Sequence, residues 1–386
     1  MIHKSYYFCG LYASKVMIRR EISDIITAKT GSGKAIIIIG ARQVGKTTLV
    51  RTLLQDKSLL FLDGDDPVSR RLLTDANTEQ LKDLIKDAPF VFIDEAQRIE
   101  NIGLTLKIIV DQISNTQLFI TGSSSFELGN LVKEPLTGRK WEYVLYPISW
   151  KEFRDYAGLL KSEQQLPLRL VYGMYPEIIT SPGSEAELLK QLSDSYLYKD
   201  ILSYSGIRKP EILHKLLRAL AFQVTSEVSY RELSILLGID TKTVSAYIEL
   251  LEQAYVIFKL GSFSRNLRNE IKTNQKIYFY DNGILNIVKG NLNPLEIRDD
   301  KGALWENFLI SERIKRNAYT IPLVQSYFWR TKQQQEVDYI EESGGKIEGF
   351  EFKWNPKAKV KIPKSFTEGY QADIKVIHPE NFNEFI

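Results

Sequence analysis

Four residues have the types and spacing of a phosphate-binding loop. Gly40, Gly45, Lys46 and Thr47 complete the pattern G-x-x-x-x-G-K-[ST], between the apolar run 35–39 and a predicted helix. Glycines let main-chain N–H groups turn toward phosphate oxygens, and a helix amino terminus adds partial positive charge. We expect the lysine to reach the β- and γ-phosphates and the threonine hydroxyl to ligate Mg²⁺. A chance glycine-rich turn is the alternative, which the flanking strand and helix disfavour. The predicted ATP site comprises Gly40, Ala41, Arg42, Gln43, Val44, Gly45, Lys46, Thr47 and Thr48.

Two acidic residues follow a second apolar run. The run 90–93 leads directly to Asp94 and Glu95. Open α/β sheets bind ligands at the carboxyl ends of their strands. Asp94 is predicted to hold Mg²⁺, directly or through water, and Glu95 to polarise the attacking water. Metal binding alone does not require the second carboxylate, so the pair predicts nucleotide hydrolysis.

Alternating strands and helices must position these residues. Their alternation predicts a parallel sheet with helices on both faces. The predicted fold class is therefore α/β, with a P-loop parallel-sheet ATPase core assigned to residues 17–156. Apolar runs predict strands at 35–39, 59–62, 90–93 and 117–120, and helical periodicity predicts helices at 17–30, 78–86 and 104–113.

The amino-acid composition limits which other classes of protein this chain could belong to. The 386 residues contain 51 Lys and Arg against 48 Asp and Glu, a balance that neither demands nor excludes nucleic acid. The only cysteine, Cys9, excludes an intramolecular disulfide framework and a cysteine-rich zinc site. No apolar run approaches the roughly 18 residues of a membrane span, and no clear signal peptide is present. We therefore expect a cytoplasmic protein that does not bind membranes.

Several motifs, taken in order, resemble one known family. GARQVGKTTL, FIDEAQRI, LFITGSSS and LTGR followed by YPISWKEF are similar to prokaryotic AAA-superfamily ATPases that carry a conserved carboxyl-terminal domain of unknown function. The resemblance covers the chain from about residue 17. It implies a P-loop ATPase joined to a winged-helix-like segment and a restriction-endonuclease-like fold. It does not supply a biological role.

Two further polar residues follow from this resemblance and from their position. AAA-type ATPases carry a polar sensor where Ser123 lies; helix capping is its alternative role. Arg139 follows soon after, and an arginine beside a nucleotide can neutralise transition-state charge. It could act in its own chain or toward a neighbouring subunit of a homo-oligomer, or it could be a solvated surface arginine.

The middle of the chain predicts a helical lid or linker at 157–210 and a winged helix-turn-helix at 211–270. A Ser229-x-x-Glu232 capping box precedes the second helix, Gly238 marks the turn, and a strand follows the third helix. A DNA-binding version would suit double-stranded DNA. The alternative is an ATPase lid or protein-docking module, since the exposed face carries one lysine; Arg265 and Arg268 improve the case for DNA. The side chains predicted to face the major groove are Thr241, Lys242, Thr243, Ser245 and Tyr247.

The final segment, 271–386, suggests a second chemistry. Asp338, Glu351 and Lys353 resemble the D…ExK core of the restriction-endonuclease-like superfamily, and Glu306 matches an additional acidic residue on its first helix. The three carboxylates, Glu306, Asp338 and Glu351, could hold Mg²⁺, and their repulsion should raise at least one pKa. Lys353 could orient or deprotonate a water. The alternative is a salt-bridged, half-exposed sheet.

These observations predict an ATP-binding and ATP-hydrolysing protein coupled to a DNA-binding and nuclease-like module. The rival hypothesis is a nucleotide-controlled switch that binds DNA or protein. In that version the nuclease-like domain is a catalytically inert scaffold, because a shared fold does not imply a shared function.

Overall fold

The computed structural model of this chain describes residues 17–123, 135–194, 209–264, 275–320 and 323–386. Its first sheet contains five strands: β1 (Ala35–Ile39), β2 (Leu59–Asp63), β3 (Phe90–Asp94), β4 (Gln117–Gly122) and β5 (Lys140–Val144). They lie in the order β2-β3-β4-β1-β5, and every neighbouring pair is parallel. The crossovers return each strand in the same direction, so all five carboxyl ends meet at one edge.

Helices cover both faces of this sheet. All five residues of β1 are buried. Ile36 and Ile38 belong to one apolar cluster, whereas Ile37 and Ile39 belong to another, as expected when successive side chains point to opposite faces. The helices of this part of the chain are α1 (Ile22–Lys29), α2 (Lys46–Leu53), α3 (Pro67–Leu73), α4 (Thr78–Ile85), α5 (Ile102–Gln112) and α6 (Trp150–Ala157).

Local sequence signals explain where several helices begin. Asn77 and Ser149 each form a capping box, in which the side chain accepts from the backbone three residues later and that residue's side chain returns the bond. Gly45 precedes α2 with φ of 96°, a left-handed conformation that glycine adopts without strain. The helix after the phosphate loop therefore begins at Lys46, as predicted.

The rest of the chain is mainly helical before it returns to strands. Gly238, with φ of 65°, ends the second helix of the middle segment, and the Asp240 side chain caps the third. Ser229 accepts from the backbone N–H of Glu232 at 3.3 Å, which is one of the two bonds of the predicted capping box. The helices are α7 (Leu159–Tyr172), α8 (Pro176–Thr180), α9 (Glu185–Leu192), α10 (Pro210–Phe222), α11 (Tyr230–Leu237), α12 (Thr241–Gln253), α13 (Asn282–Lys289), α14 (Lys301–Ala318) and α15 (Lys364–Tyr370).

A second sheet joins the middle segment to the last one. Its strands are β6 (Glu227–Val228), β7 (Ile257–Ser262), β8 (Gln275–Phe279), β9 (Gln325–Arg330), β10 (Glu336–Ser343), β11 (Lys346–Phe352) and β12 (Asp373–Ile377). Their order is β12-β11-β10-β9-β7-β8-β6. The strand predicted as a wing, β7, pairs in parallel with β9, so one sheet crosses the boundary predicted at residue 270.

Most predicted elements of the first sheet are confirmed, and three features were not predicted. Strand β5 and helices α3 and α13 had no assignment. Asp281 caps α13 by accepting a hydrogen bond from the Ile284 N–H. Cys9, Arg265 and Arg268 lie outside the described residues. No helix within the described ranges is long and apolar enough to cross a membrane.

Candidate functional site

The phosphate loop curves around a buried lysine at the carboxyl edge of the first sheet. Lys46 is 5% exposed, and its ammonium group donates to the main-chain oxygens of Gly40 at 3.0 Å and Ala41 at 2.8 Å. A side chain at Gly40 would meet the Leu145 carbonyl oxygen, because a Cβ there would stand 2.1 Å from it. Burial lowers the pKa of Lys46 to about 8, although the Glu95 and Asp94 carboxylates raise it. Among the residues that the structure describes, no carboxylate pairs directly with this cation, and a polyphosphate would supply an anionic partner.

The Asp94 carboxylate accepts hydrogen bonds from two threonine hydroxyl groups. Thr47 donates to Asp94 Oδ2 at 2.8 Å, and Thr121 on β4 donates to Asp94 Oδ1. The strand order explains this arrangement, because β4 lies between β1 and β3. Thr47 and Asp94 are oxygen ligands suited to Mg²⁺, which commonly takes one or two protein ligands beside phosphates and waters. These two predicted ligands are thus brought together.

Glu95 is held by a glutamine that the prediction did not include. Its backbone is left-handed, with φ of 47° and ψ of 43°, a strained conformation of the kind found at functional sites. Gln97 Nε2 donates to Glu95 Oε2 at 2.6 Å and to Ser123 Oγ at 2.9 Å, so one amide joins the predicted base to the predicted sensor. The Gln97 Oε1 atom is buried and has no hydrogen-bond partner among the described residues.

Gly64, the first residue after β2, allows the chain to pass close to the turn at Glu95. The Gly64 N–H donates to the Asp94 carbonyl oxygen at 2.8 Å, and a Cβ at Gly64 would stand 2.3 Å from the Glu95 carbonyl oxygen. Gln97 and Thr121 could have been found from the sequence only if the order of strands had been known, since it decides which strand ends are neighbours.

A buried arginine supports the phosphate loop from behind. Arg20 is 7% exposed; it donates to the Val44 carbonyl oxygen at 2.7 Å, to the Tyr146 carbonyl oxygen at 2.6 Å and to Glu152 Oε2 at 3.0 Å. Glu152 also accepts from the Glu21 N–H at 2.8 Å. Arg20 and Glu152 are 132 residues apart, so no local pattern could have predicted their pairing.

Arg139 is not brought to the phosphate loop of its own chain. It precedes β5, whose first residue, Lys140, pairs with Ala35 at the start of β1. The loop follows the other end of β1, about 13 Å away at the usual rise per strand residue. Arg139 instead pairs with Asp111 at 2.5 Å. This placement does not support action in its own chain, whereas a role toward a neighbouring subunit stays a prediction and a surface arginine stays the alternative.

Helix α14 connects the first sheet to the carboxyl-terminal segment. Glu312 accepts from the Trp150 N–H at 2.6 Å, Lys315 donates to the Ile148 carbonyl oxygen at 3.2 Å, and the Tyr319 hydroxyl donates to the Val144 carbonyl oxygen at 2.8 Å. Glu312 and Lys315 are both buried and pair with each other at 2.6 Å. The chain that follows β5 is thus held by α14 on one side and by Arg20 on the other.

The predicted carboxyl-terminal residues face one another. Lys353 Nζ lies 3.0 Å from Glu351 Oε2 and 3.6 Å from Asp338 Oδ2, and the Phe352 N–H donates to Asp338 Oδ2 at 2.9 Å. Burial raises the pKa of Glu351 to about 7, with Asp338 adding to the rise. Burial also raises the pKa of Glu306 to about 8. Raised values were predicted, but burial rather than mutual repulsion is their main cause.

These residues do not fit a divalent cation. Among the described residues, no three His, Cys, Asp or Glu side chains are grouped so that they could hold a metal ion. Lys276, 1% exposed and not predicted, pairs with Glu336 and lies 3.6 Å from Glu306 Oε1. The metal site predicted from Glu306, Asp338 and Glu351 is therefore wrong for this structure, because lysines already contact the carboxylates.

The third helix of the middle segment exposes fewer polar side chains than predicted. Thr241 and Lys242 are exposed at the start of α12. Thr243 bonds to Asp240, Ser245 donates to Glu249 at 3.3 Å, and Tyr247 is buried. Tyr247 therefore cannot face a DNA groove in this structure, which corrects one of the five predicted contacts.

Comparison with known proteins divides the chain into three regions. Residues 32–154 match the family described as "AAA domain", and residues 163–295 and 301–384 match two domains of unknown function, DUF8612 and DUF4143. An uncharacterized protein of Mycobacterium tuberculosis is 29% identical over 369 residues, which cover 94% of this chain and 80% of the relative. An uncharacterized protein of Methanocaldococcus jannaschii is 25% identical over 366 residues, covering 88% and 80%.

Similar solved structures are more distant. A signal transduction ATPase with a tetratricopeptide repeat sensor, from Pyrococcus horikoshii, has a TM-score of 0.32 and 12% identity; the match covers 79% of this chain but only 46% of that one. A protein of Thermotoga maritima related to the DNA polymerase III gamma subunit has a TM-score of 0.28 and 14% identity, covering 76% and 98%. Similarity at this level carries no argument about function.

The parallel sheet, the phosphate loop and the Asp94–Glu95 pair are consistent with a P-loop ATPase core. They lie within residues 32–154, the part of the chain that matches the family described as "AAA domain".

Proposed function

We propose that this protein binds ATP at the phosphate loop and hydrolyses it. The observation that carries the proposal is the buried Lys46 ammonium at the start of α2, whose hydrogen bonds within the described part of the chain go to main-chain oxygens. Desolvating a cation costs free energy, and the β- and γ-phosphates would offset that cost. The amino terminus of α2 favours the same anion.

Each neighbouring residue then has a role in hydrolysis. Thr47 and Asp94 would hold Mg²⁺, which supplies charge neutralisation at the phosphates. Glu95 accepts a proton from the attacking water, and Gln97 fixes the orientation of the Glu95 carboxylate through its 2.6 Å hydrogen bond. The Gln97 side-chain amide also donates to Ser123, the residue that directly follows β4.

The proposal extends to control of the carboxyl-terminal segment by nucleotide. Arg20 contacts the phosphate loop at Val44 and the chain after β5 at Tyr146. Helix α14 contacts that same chain through Lys315, which donates to the Ile148 carbonyl oxygen. A change in the loop on ATP binding would therefore reach α14 through direct contacts. We favour a nucleotide-controlled switch, with DNA or a partner protein as the molecule that it binds.

DNA contact by α12 remains one version of this switch. The exposed Thr241 and Lys242 at its amino terminus support contact with phosphates, whereas the buried Tyr247 removes one base contact. Cleavage of DNA by the carboxyl-terminal domain is the rival. If this domain cleaves DNA, the wild type should nick plasmid DNA in the presence of a divalent metal, and Asp338→Ala should not. Equal nicking by the wild type and Asp338→Ala would show that Asp338 has no part in the activity.

Equilibrium binding tests the nucleotide site. Lys46→Ala should weaken MgATP binding by at least about tenfold, because the phosphates lose their buried cationic partner. Lys57→Ala is the matched control, since Lys57 is exposed and lies beyond α2. Equal weakening in both variants would place the nucleotide elsewhere.

Hydrogen exchange tests the switch. MgATP should change amide protection in α14 (Lys301–Ala318) of the wild type and should leave it unchanged in Lys46→Ala. If MgATP saturates the wild type but does not change hydrogen exchange in α14, the nucleotide site is not coupled to this helix. That result would leave the proposal of ATP binding intact.

A further inference from the structure

The carboxylates of the carboxyl-terminal segment surround two lysines. Glu306 on α14, Glu336 and Asp338 on β10, and Glu351 on β11 come from three elements of the fold. Lys276, the second residue of β8, reaches into this group although β7 and β9 lie between β8 and β10 in the sheet. We call these carboxylates, with Lys276 and Lys353, the lysine–carboxylate cluster.

Lys276 is the more deeply buried of the two lysines. Its side chain is 1% exposed, its ammonium group pairs with Glu336, and it lies 3.6 Å from Glu306 Oε1. The ring centroid of Phe328 lies 5.2 Å from the same nitrogen, a favourable position for a cation. Ion pairs and an aromatic face thus fix one positive charge beside Glu306.

Lys353 occupies the other side of the cluster. It lies 3.0 Å from Glu351 Oε2 and 3.6 Å from Asp338 Oδ2. Each of the three carboxylates predicted to ligate a metal therefore has a lysine nitrogen within 3.6 Å. Mg²⁺ or Mn²⁺ needs near-octahedral oxygen ligands at short distances. A metal bound to Glu306 Oε1 would be repelled by the Lys276 ammonium, which contacts the same oxygen.

We propose that Lys276 is the resident cation of this cluster and stands in place of a divalent metal ion. The cluster then acts as an ionic joint, not as a metal-dependent nuclease centre. It joins α14, the helix that docks on the ATPase domain, to β8 and β10 of the second sheet. Replacing Lys276 with a neutral residue leaves the Glu306 and Glu336 carboxylates without their cation, and these two oxygen ligands then attract Mn²⁺.

Electron paramagnetic resonance of free Mn²⁺ tests this proposal on the full chain. All proteins carry Asp94→Asn and contain no nucleotide, so the ATPase metal site does not contribute. The parent should show no Mn²⁺ binding that depends on Asp338, up to millimolar concentrations. Lys276→Met should bind one Mn²⁺, and adding Glu306→Gln should abolish that binding, because Glu306 is a carboxylate that the change releases from Lys276.

Thermal unfolding gives a second readout with a matched control. Lys276→Met should lower Tm without metal, and millimolar Mn²⁺ should restore most of the loss. Lys289→Met removes another ion-paired lysine, which is partly buried and lies 2.7 Å from Asp300, and its lower Tm should not respond to Mn²⁺. If Lys276→Met does not fold, Lys276→Gln replaces it, because glutamine can still donate to one carboxylate.

Two results would overturn the proposal. One is Mn²⁺ binding by the parent that Asp338→Asn removes. The other is a folded Lys276 variant that gains no Mn²⁺ site. Neither result bears on ATP binding at Lys46, which lies in the other sheet's site.

Discussion

At pH 8.5, ATP binding should take up about three-quarters of a proton per molecule. The pKa of Lys46 is lowered to about 8 by burial, so only about a quarter of the free protein carries the charge at this pH. Bound phosphates favour the charged form and raise this pKa, so the lysine is protonated in the complex. Below pH 7 it is already charged in both states, and binding takes up little.

The same linkage fixes the sign of the pH dependence. Because binding takes up a proton, affinity falls as pH rises through 8 toward the higher pKa of the complex. Between pH 8.5 and 9.5, Kd should increase by about eightfold, a value that follows from a free pKa of about 8. The affinity between pH 6.5 and 7.5 should change far less.

Calorimetry in two buffers of different ionisation enthalpy measures this uptake. The ligand is the slowly hydrolysed analogue ATPγS with Mg²⁺. Lys46→Arg is the control, because arginine remains charged at every pH used and should take up no proton at this position. No uptake at pH 8.5 in the wild type, or an equal uptake in Lys46→Arg, would refute the role assigned to Lys46.

Three other variants test the supporting residues. Arg20→Met should destabilise the protein by about 3–5 kcal/mol in urea unfolding, because it leaves Glu152 buried without its partner, whereas the exposed Arg19→Met should have little effect; equal effects would contradict the support role. Gln97→Leu should reduce kcat for ATP by about tenfold or more with KM nearly unchanged, since Glu95 loses its orienting bond; unchanged kcat would remove Gln97 from the mechanism. If α12 binds DNA, Lys242→Glu should weaken gel-shift affinity and lower the salt slope by about one, and an unchanged slope would favour a docking role.

The strand, loop and helix around Lys46 could be predicted from the sequence because their signals are local. Gly45, Lys46 and Thr47 are consecutive. The strand that precedes the loop is a continuous apolar run, and its residues are buried on both faces of the sheet. Asp94 and Glu95 likewise follow their strand directly. Backbone geometry and side-chain chemistry are set there within a few residues, so one pattern predicts both.

Residues brought together from distant parts of the chain were missed. Arg20 meets Glu152 across 132 residues, and Lys276 reaches Glu306 and Glu336 only because β8 and β10 belong to one sheet. The prediction for Asp338, Glu351 and Lys353 correctly placed them together. It failed on the metal, because the lysine that pairs with Glu306 lies on a strand without a recognisable motif.

Single-turnover hydrolysis by Glu95→Gln tests the central claim most directly. The variant should bind MgATP as the wild type does, and should release phosphate about 100-fold more slowly or worse, because no carboxylate accepts the proton of the attacking water. Glu100→Gln makes the same chemical change at an exposed position five residues later and should hydrolyse ATP normally. Phosphate release by Glu95→Gln at the rate of Glu100→Gln would contradict the assignment of this site as an ATPase with Glu95 as its base.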